Sequence, residues 1–424
     1  MVRNFPESLK KDLDHCSRCG LCEPLCPSYK VMRMERYAPR GRVQMVRKIF
    51  AGELSFTKSL QEAFTSCISC GTCSENCPSG VRIDRVFSHM RFDLVQKLGQ
   101  PLFKKMMLWF LRHPSVLHAG AASARIGQSW LIKPFNVKKK IGPIEVSRLP
   151  RLNKTPFREH LQTRIPPRGK KIGRVLYFVG CATDLFNEDI GQAAIKVLTG
   201  LGYEVIISKE LGCCGLPIFL SGALDNALNN ISKNLNLMTE IECDHVMFDC
   251  GTCGGAFKEK IPQLLEELGP DFAPLQDKAL ALAAKSRDVS EIIALNLDRI
   301  DLSTTNRDQK PLIVTYHDSC HLKRAMHISK EPRAILTKLP SIQYSEMPSP
   351  DECCGGGGAY QFEHAALSSA ITKRKIHNIR SVQADILAVG CPGCQLTLSA
   401  ALSQPNDPVV KHPVQLYAEL KQFS

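Results

Sequence analysis

Past residue 172 the chain alternates two hydrophobic patterns. Short apolar runs rich in β-branched and aromatic residues, RVLYFVGC (174–181), EVIIS (204–208) and HVMFDCGTC (245–253), read as buried strands. Stretches at 190–201 and up to about residue 240 carry apolar residues at helical spacing. Residues 312–424 run through the same order: LIVTYHDSC, a helical run, a strand near Ile342–Tyr344, a glycine-rich turn, a helical run from about 363, and DILAVGCPGC. Strands alternating with helices predict a parallel α/β layer in each copy. The first hundred residues differ. After Pro39-Arg40-Gly41-Arg42, the apolar positions Val43, Val46, Ile49 and Phe50 follow a helical period. Ile83, Val86, Phe87, Met90, Leu94 and Val95 do the same, so this part is mainly helical. Residues 101–132 read as helical with mixed basic and apolar character. Residues 133–171, rich in Pro, Lys and Arg, read as a connector over the surface or against a partner.

The cysteines show that the two α/β stretches are a tandem duplication. Cys181, Cys213, Cys214, Cys250 and Cys253 recur as Cys320, Cys353, Cys354, Cys391 and Cys394, at offsets of 139, 140, 140, 141 and 141 residues. Each copy has one Cys, then Cys-Cys-Gly, then Cys-x2-Cys, each element closing a predicted strand. Strand ends of a parallel layer converge on one edge, where ligands bind. Five thiolates can therefore meet although they are far apart in sequence. Five exceed the four ligands of a structural zinc site. Two arrangements fit: one metal cluster of unusual shape held by all five, or four ligands with a fifth thiol free to react. Zinc in one copy is the alternative. The second copy continues Cys353-Cys354-Gly355-Gly356-Gly357-Gly358, which predicts an open, accessible site. The first continues Cys213-Cys214-Gly215-Leu216-Pro217, which predicts a closed one. His317, His321 and His327 cluster in sequence around Cys320, as proton-handling groups or as local packing. Cys243 has no counterpart and reads as a small buried residue.

The helical part carries a different signature. Cys16-x2-Cys19-x2-Cys22-x3-Cys26-Pro27 is followed by Cys67-x2-Cys70-x2-Cys73-x3-Cys77-Pro78. Two-residue gaps wrap the backbone round one iron–sulfur cube, and the fourth thiolate reaches the other cube. The spacing assigns Cys16, Cys19, Cys22 and Cys77 to one [4Fe-4S] cubane, and Cys67, Cys70, Cys73 and Cys26 to a second. Zinc sites use two ligand pairs with a longer gap between them. Gly20 and Gly71 would let amides approach the sulfurs, and Arg18, Arg40, Arg42 and Arg82 either offset cluster charge or are solvated.

Composition sets the context. Hydrophobic residues are 44% and charged residues 23%, so a packed chain rather than a disordered one is expected. The net charge is +14, but residues 133–174 hold thirteen Lys/Arg and two acids, Glu145 and Glu159. Basicity confined to one connector argues against nucleic-acid binding and leaves an acidic partner or anionic lipid as its target. The first fifteen residues carry charges throughout, so no export signal is expected. The most apolar stretch, MMLWFL (106–111), is too short to span a membrane. The expected location is cytoplasmic, either free or peripheral on the inner face of the cell membrane. Cysteines in such a chain point to metal rather than disulfides.

Taken together, the two CxxCxxCxxxCP runs, Pro39-Arg40-Gly41-Arg42 between them, Cys77-Pro78-Ser79-Gly80-Val81, and the two Cys-Cys-Gly modules with Tyr316-His317-Asp318-Ser319-Cys320-His321 resemble the glycolate oxidase iron–sulfur subunit family. The resemblance extends to the iron–sulfur subunits of respiratory D-lactate and glycerol-3-phosphate dehydrogenases and to heterodisulfide-reductase-like CCG proteins. Ser319 departs from it, since many relatives have Pro there. The resemblance implies an α+β multidomain chain: a helical two-cluster ferredoxin domain at 1–100, a helical and basic connector at 101–171, and two tandem α/β CCG domains at 172–305 and 306–424. It also implies one or two further iron–sulfur clusters in the CCG domains, non-cubane [4Fe-4S] clusters among the options.

The implied function is electron transfer within a flavin-dependent 2-hydroxy-acid dehydrogenase complex acting on glycolate or D-lactate. An FAD-containing partner subunit would oxidise the substrate, and a quinone or another acceptor would take the electrons. No glycine-rich dinucleotide fingerprint follows a strand in this chain, so the flavin and the hydroxy-acid site are expected on that partner, and no catalytic residue is assigned here. The alternative is a heterodisulfide-reductase-type subunit that itself reduces a disulfide at a CCG cluster, for which an open Gly355–Gly358 loop would be suited.

Overall fold

In the computed structural model, the described residues are 5–113, 115–116, 118, 120, 140–141, 144–145, 152–297 and 310–420. The expected helix beyond residue 120, most of the basic connector and the expected boundary at 305/306 lie outside them.

The N-terminal part is helical. Helices Glu7–His15, Pro39–Phe50, Lys58–Thr65 and Ile83–Leu98 turn their apolar stripes inward. Leu9, Leu13, Val43, Val46, Phe64, Val86, Phe87 and Met90 form one core, with Phe64 edge-on to Phe87 at 5.7 Å. Pro39 at the first helical position needs no hydrogen-bond acceptor for its nitrogen, which explains why the PRGR segment starts the helix.

The duplicated part forms two sheets. The first contains β1 (Arg164–Ile165), β2 (Gly173–Tyr177), β3 (Tyr203–Ile206), β4 (His245–Phe248) and β5 (Ser286–Asp288), in the order β1-β3-β2-β4-β5. The second contains β6 (Leu312–His317), β7 (Ile342–Tyr344), β8 (Ile386–Val389) and β9 (Val409–Lys411), in the order β9-β8-β6-β7. All pairs are parallel except β1 with β3. Register repeats as well as order. Val175 faces His245 in the first sheet, and their counterparts Val314 and Ile386 face each other in the second. The strands expected from the sequence are present. The edge strands β1, β5 and β9 are two or three residues long and carry no apolar run, so periodicity did not reveal them.

The two modules share their interior. One core holds Phe178, Phe248 and Phe257 of the first with Leu322, Met326 and Val389 of the second. A second core joins Val175 and Tyr177 to Tyr316, Ile386 and Tyr417. The closest approach is between helices Gly251–Gly255 and Cys320–Ala325. A Cβ on Gly251 would lie 2.7 Å from Leu322 Cβ, and one on Gly255 would lie 2.8 Å from Ala325 Cβ. Glycine is required there because any side chain would push the modules apart.

The connector is not wholly superficial. Phe157 and Arg158 are buried, with Phe157 in the second shared core. Arg158 pairs with Asp184 at 2.9 Å. β1 extends the first sheet seven residues before the expected start of that domain at 172. The sequence hid this because Arg158 and Arg164 look like part of a solvated basic run.

Candidate metal centres

The two ferredoxin-type loops have the same backbone. Arg18 and Ser69, each two residues after the first cysteine, are left-handed (φ 61° and 59°), and so are Gly20 and Gly71 after the second (φ 81° and 76°). A non-glycine residue holds that conformation only where its surroundings impose it. The turn aims amides inward, and Ser69 N–H points at Cys67 Sγ from 3.4 Å. Burial pushes the Cys73 thiol well up, and Cys67, Cys70 and Cys26 beside it add to the effect. Cys26 therefore lies with the second loop, on the far side of its own run. Burial likewise raises Cys22, to about 11, with Cys16 nearby. Cys16, Cys22 and Cys77 are half-buried against the helical core, and Cys19 is exposed.

Five thiols converge in each repeat, and they do so in the same order. In the first module the hydrogen-bonded chain runs Cys181, Cys213, Cys214, Cys253, Cys250. In the second it runs Cys320, Cys353, Cys354, Cys394, Cys391. Crowding pushes neighbours apart in acidity. Cys213 donates to Cys214 and lowers it to about 5, while Cys181 is held well above the usual thiol range by its bond to Cys213 and by burial. Cys353 lowers Cys320 to about 6 in the same way. Thiolates within reach of one another are a donor set for metal. The two sets also touch: Cys250 Sγ lies 3.8 Å from Cys391 Sγ. Cys243 is buried in the shared core, and no cysteine of either set is among the groups that act on its thiol.

The ferredoxin-type and CCG sets meet as well. Cys70, Cys353 and Tyr360 share one buried cluster with Leu367 and Ile371, flanked by Ile68 and Cys320. The Gly355–Gly358 loop, expected to be open, is so in its second half: Gly355 and Gly356 are buried within their own module, whereas Gly357 and Gly358 are exposed, with Gly357 also beside Ile68 of the helical part. A Cβ on Gly357 would lie 2.8 Å from Ile68, and one on Gly356 would overlap Thr397 Oγ1. Cys353 and Cys354 are as buried as Cys213 and Cys214. Gly355 and Gly356 allow close approach of Ser368, Thr372 and Thr397, and Gly358 faces open space, as the sequence predicts.

Three buried guanidinium groups border this junction. Arg42, fully buried, donates to Ala63 O (2.6 Å) and to Ser66 and Ser28 Oγ, and Ser28 Oγ is 3.2 Å from Cys26 Sγ. Arg91 donates to the carbonyl of Cys67 and to Ser69 Oγ, and also to Leu220 O of the first module at 2.8 Å. Arg324 lies between Cys70 and Cys320, whose thiolates both favour its charge, and pairs with Glu75 and Asp351. Arg91 and Arg324 were invisible in the sequence because neither neighbours a ligand motif. Arg40 and Arg82 instead pair with Glu23, Glu35 and Asp12. Of the histidines, His317 is buried, His321 Nδ1 faces Thr252 Oγ1 at 3.3 Å, and His327 is exposed beside Glu259, so the three do not form one group.

The donor sets fit iron–sulfur clusters: thiols only, four per ferredoxin-type set, in loops whose amides face the sulfurs. Comparison with known proteins agrees. Residues 12–81 match the family described as 4Fe-4S dicluster domain. Residues 175–258 and 314–399 match the one described as Cysteine-rich domain. The chain is 26% identical to the probable glycolate oxidase iron–sulfur subunit of Bacillus subtilis, over 93% of this chain and 90% of that one. It is also 26% identical to the glycolate oxidase iron–sulfur subunit of Escherichia coli, over 94% and 93%. It is 25% identical to a subunit of the dihydromethanophenazine:CoB–CoM heterodisulfide reductase of Methanosarcina mazei, over 99% and 96%. The chain is thus an iron–sulfur electron-transfer protein: it carries a 4Fe-4S dicluster domain and two cysteine-rich domains, and it is similar over nearly its whole length to glycolate oxidase iron–sulfur subunits and to a heterodisulfide reductase subunit.

Proposed function

We propose that this chain is the electron-transfer subunit of a flavin-dependent 2-hydroxy-acid dehydrogenase, for glycolate or D-lactate. It takes electrons from an FAD-containing partner subunit and delivers them to a quinone or another acceptor on the cytoplasmic side. Cys16, Cys19, Cys22 and Cys77 hold one [4Fe-4S] cubane; Cys67, Cys70, Cys73 and Cys26 hold the second. The two five-cysteine sets hold further clusters, for which five thiolates suit a non-cubane [4Fe-4S] form. Bound clusters supply one-electron transfer.

The observation that carries this reading is the burial of Cys70 and Cys353 in one cluster, with Cys320 close enough to act on the Cys70 thiol. It sets the ferredoxin-type loops against the second CCG set, and the Cys250–Cys391 contact sets the second against the first. Ile68 and Tyr360 fill the first junction and exclude water from it. Arg324 supplies a fixed positive charge between two anionic sets. The chain purified alone is expected to oxidise neither glycolate nor lactate, and to gain that activity with a flavoprotein partner. Turnover of either acid without flavin would refute the assignment.

Among the described residues no helix is long and apolar enough to cross a membrane. Helix Leu102–Arg112 does expose Leu102 (74%), Met106 (50%) and Trp109 (45%) on one side, with Lys105 and Arg112 near them. We assign peripheral membrane contact to this face. Co-sedimentation with anionic vesicles that M106E abolishes is expected; equal sedimentation of M106E and the natural chain would remove the assignment.

A further inference from the structure

The two five-cysteine sites differ by one side chain that no cysteine motif contains. His317 ends β6 and is 1% exposed. Its Nδ1 lies 3.1 Å from the carbonyl oxygen of Pro350. A carbonyl only accepts, so Nδ1 carries the proton. The Lys375 ammonium donates to that same carbonyl from 2.8 Å. Nε2 keeps the remaining lone pair, is buried, makes no hydrogen bond of ordinary geometry and has the Cys354 thiol as its neighbour. Together with Cys354 Sγ and Cys394 Sγ it forms a trio of donor atoms within 4.8 Å of one another. Metal–ligand bonds of about 2.0–2.3 Å put two donors on one ion at most about 4.6 Å apart, so the trio is close enough for a small inward movement to bring it onto one ion.

We propose that His317 Nε2 is a metal ligand of the second CCG site, beside Cys354 and Cys394. A buried imidazole whose other nitrogen donates to a backbone carbonyl is the usual arrangement of a ligating histidine. The first site has no equivalent. At the matching offset of 139 residues stands Phe178, packed against Phe248 and Phe257 with ring centroids 5.5 and 5.2 Å away. His412, the other fully buried histidine near these thiols, has both nitrogens engaged. Its Nε2 donates to Asp249 O at 3.1 Å, and its Nδ1 accepts from Val414 N–H at 3.2 Å. So the repeat keeps all five cysteines in both copies and adds one nitrogen donor to the second alone. The second site therefore differs from the first in its donor set.

The inference rests on the reading that the second CCG set holds an iron–sulfur cluster, and the test separates the two. The full chain is purified anaerobically in natural form, with only its histidines carrying nitrogen-15, and as H317F, H317Q and C353S. Pulsed EPR of the second-site signal is expected to show a nitrogen-14 coupling that converts to nitrogen-15 in the labelled chain. It is lost in both H317F and H317Q, while iron content holds. H317Q guards against a folding defect in H317F. A second-site signal without histidine nitrogen, or a coupling that survives H317Q, overturns the ligand assignment alone. If C353S loses neither iron nor any EPR signal, the set holds no cluster and both readings fall.

Discussion

Cys250 and Cys391 occupy equivalent positions of the repeat, and their sulfurs lie 3.8 Å apart across the boundary between modules. The duplication thus brings like against like at its centre, within the shared core. A change at either residue should be felt on both sides. Cys391→Ser is expected to alter the EPR signals of both CCG sites, whereas Cys213→Ser alters chiefly its own. A first-site signal untouched by Cys391→Ser would show that the contact couples nothing.

Arg324 is a second point of coupling. Its side chain is 6% exposed, and its Nη1 has no hydrogen-bond partner. Removing a buried positive charge beside two anionic sets destabilises their reduced states. Arg324→Gln should lower the midpoint potentials of the second ferredoxin-type cluster and the second CCG site, by on the order of tens of millivolts. Arg324→Lys should recover much of the difference. Redox titration followed by EPR checks this, and unchanged potentials in Arg324→Gln would contradict it.

The helical part is docked by buried charge. Arg85, His89 and Glu267 have side chains 2%, 0% and 3% exposed, and Glu267 contacts both others. Burial would raise the Glu267 carboxyl, but the bonds from His89 and Arg85 outweigh it and hold it below its ordinary value. Glu267→Ala strands a buried guanidinium, at a cost of about 3–5 kcal/mol. Limited proteolysis should release the helical part faster from this variant than from the natural chain. Equal rates would mean that the apolar contacts alone hold the interface.

His412 gives the body a pH dependence. Burial depresses its pKa to about 4, and the ring is held neutral between Asp249 O and Val414 N–H. Above about pH 6.5, the ordinary histidine value, neither the folded nor the unfolded chain protonates it, and its contribution to stability is fully present. Below that pH the unfolded chain gains a proton that the folded chain refuses. Stability therefore falls by about 1.4 kcal/mol per pH unit until the folded chain titrates near pH 4. Anaerobic denaturant titrations at pH 7 and pH 5 should show this loss, and His412→Gln should flatten it. A slope unchanged in His412→Gln would assign it to other groups.

Periodicity and cysteine spacing made much of this legible. The parallel layers followed from runs such as RVLYFVGC, and the duplication from cysteines in step. The convergence of Cys181 with Cys213 and Cys250 followed from their places at strand ends. What stayed hidden depends on contacts between parts distant in sequence. Arg158 and Arg164 read as a solvated run, yet one is buried and the other belongs to an edge strand. The approach of Ile68 to Gly357 stayed hidden because the two lie almost three hundred residues apart. His317 was noticed only as a neighbour of Cys320. Its distinction from Phe178 acquires meaning once Nε2 is seen buried beside Cys354 and Cys394.

Everything above depends on the four cysteine sets holding redox-active iron. The most direct test is iron, acid-labile sulfide and zinc analysis with EPR of the anaerobically purified chain, before and after dithionite. The account predicts iron and sulfide in near-equal amounts, exceeding two four-iron clusters per chain, and signals from interacting centres that appear or change on reduction. Zinc-loaded, colourless protein without a reducible signal would contradict it.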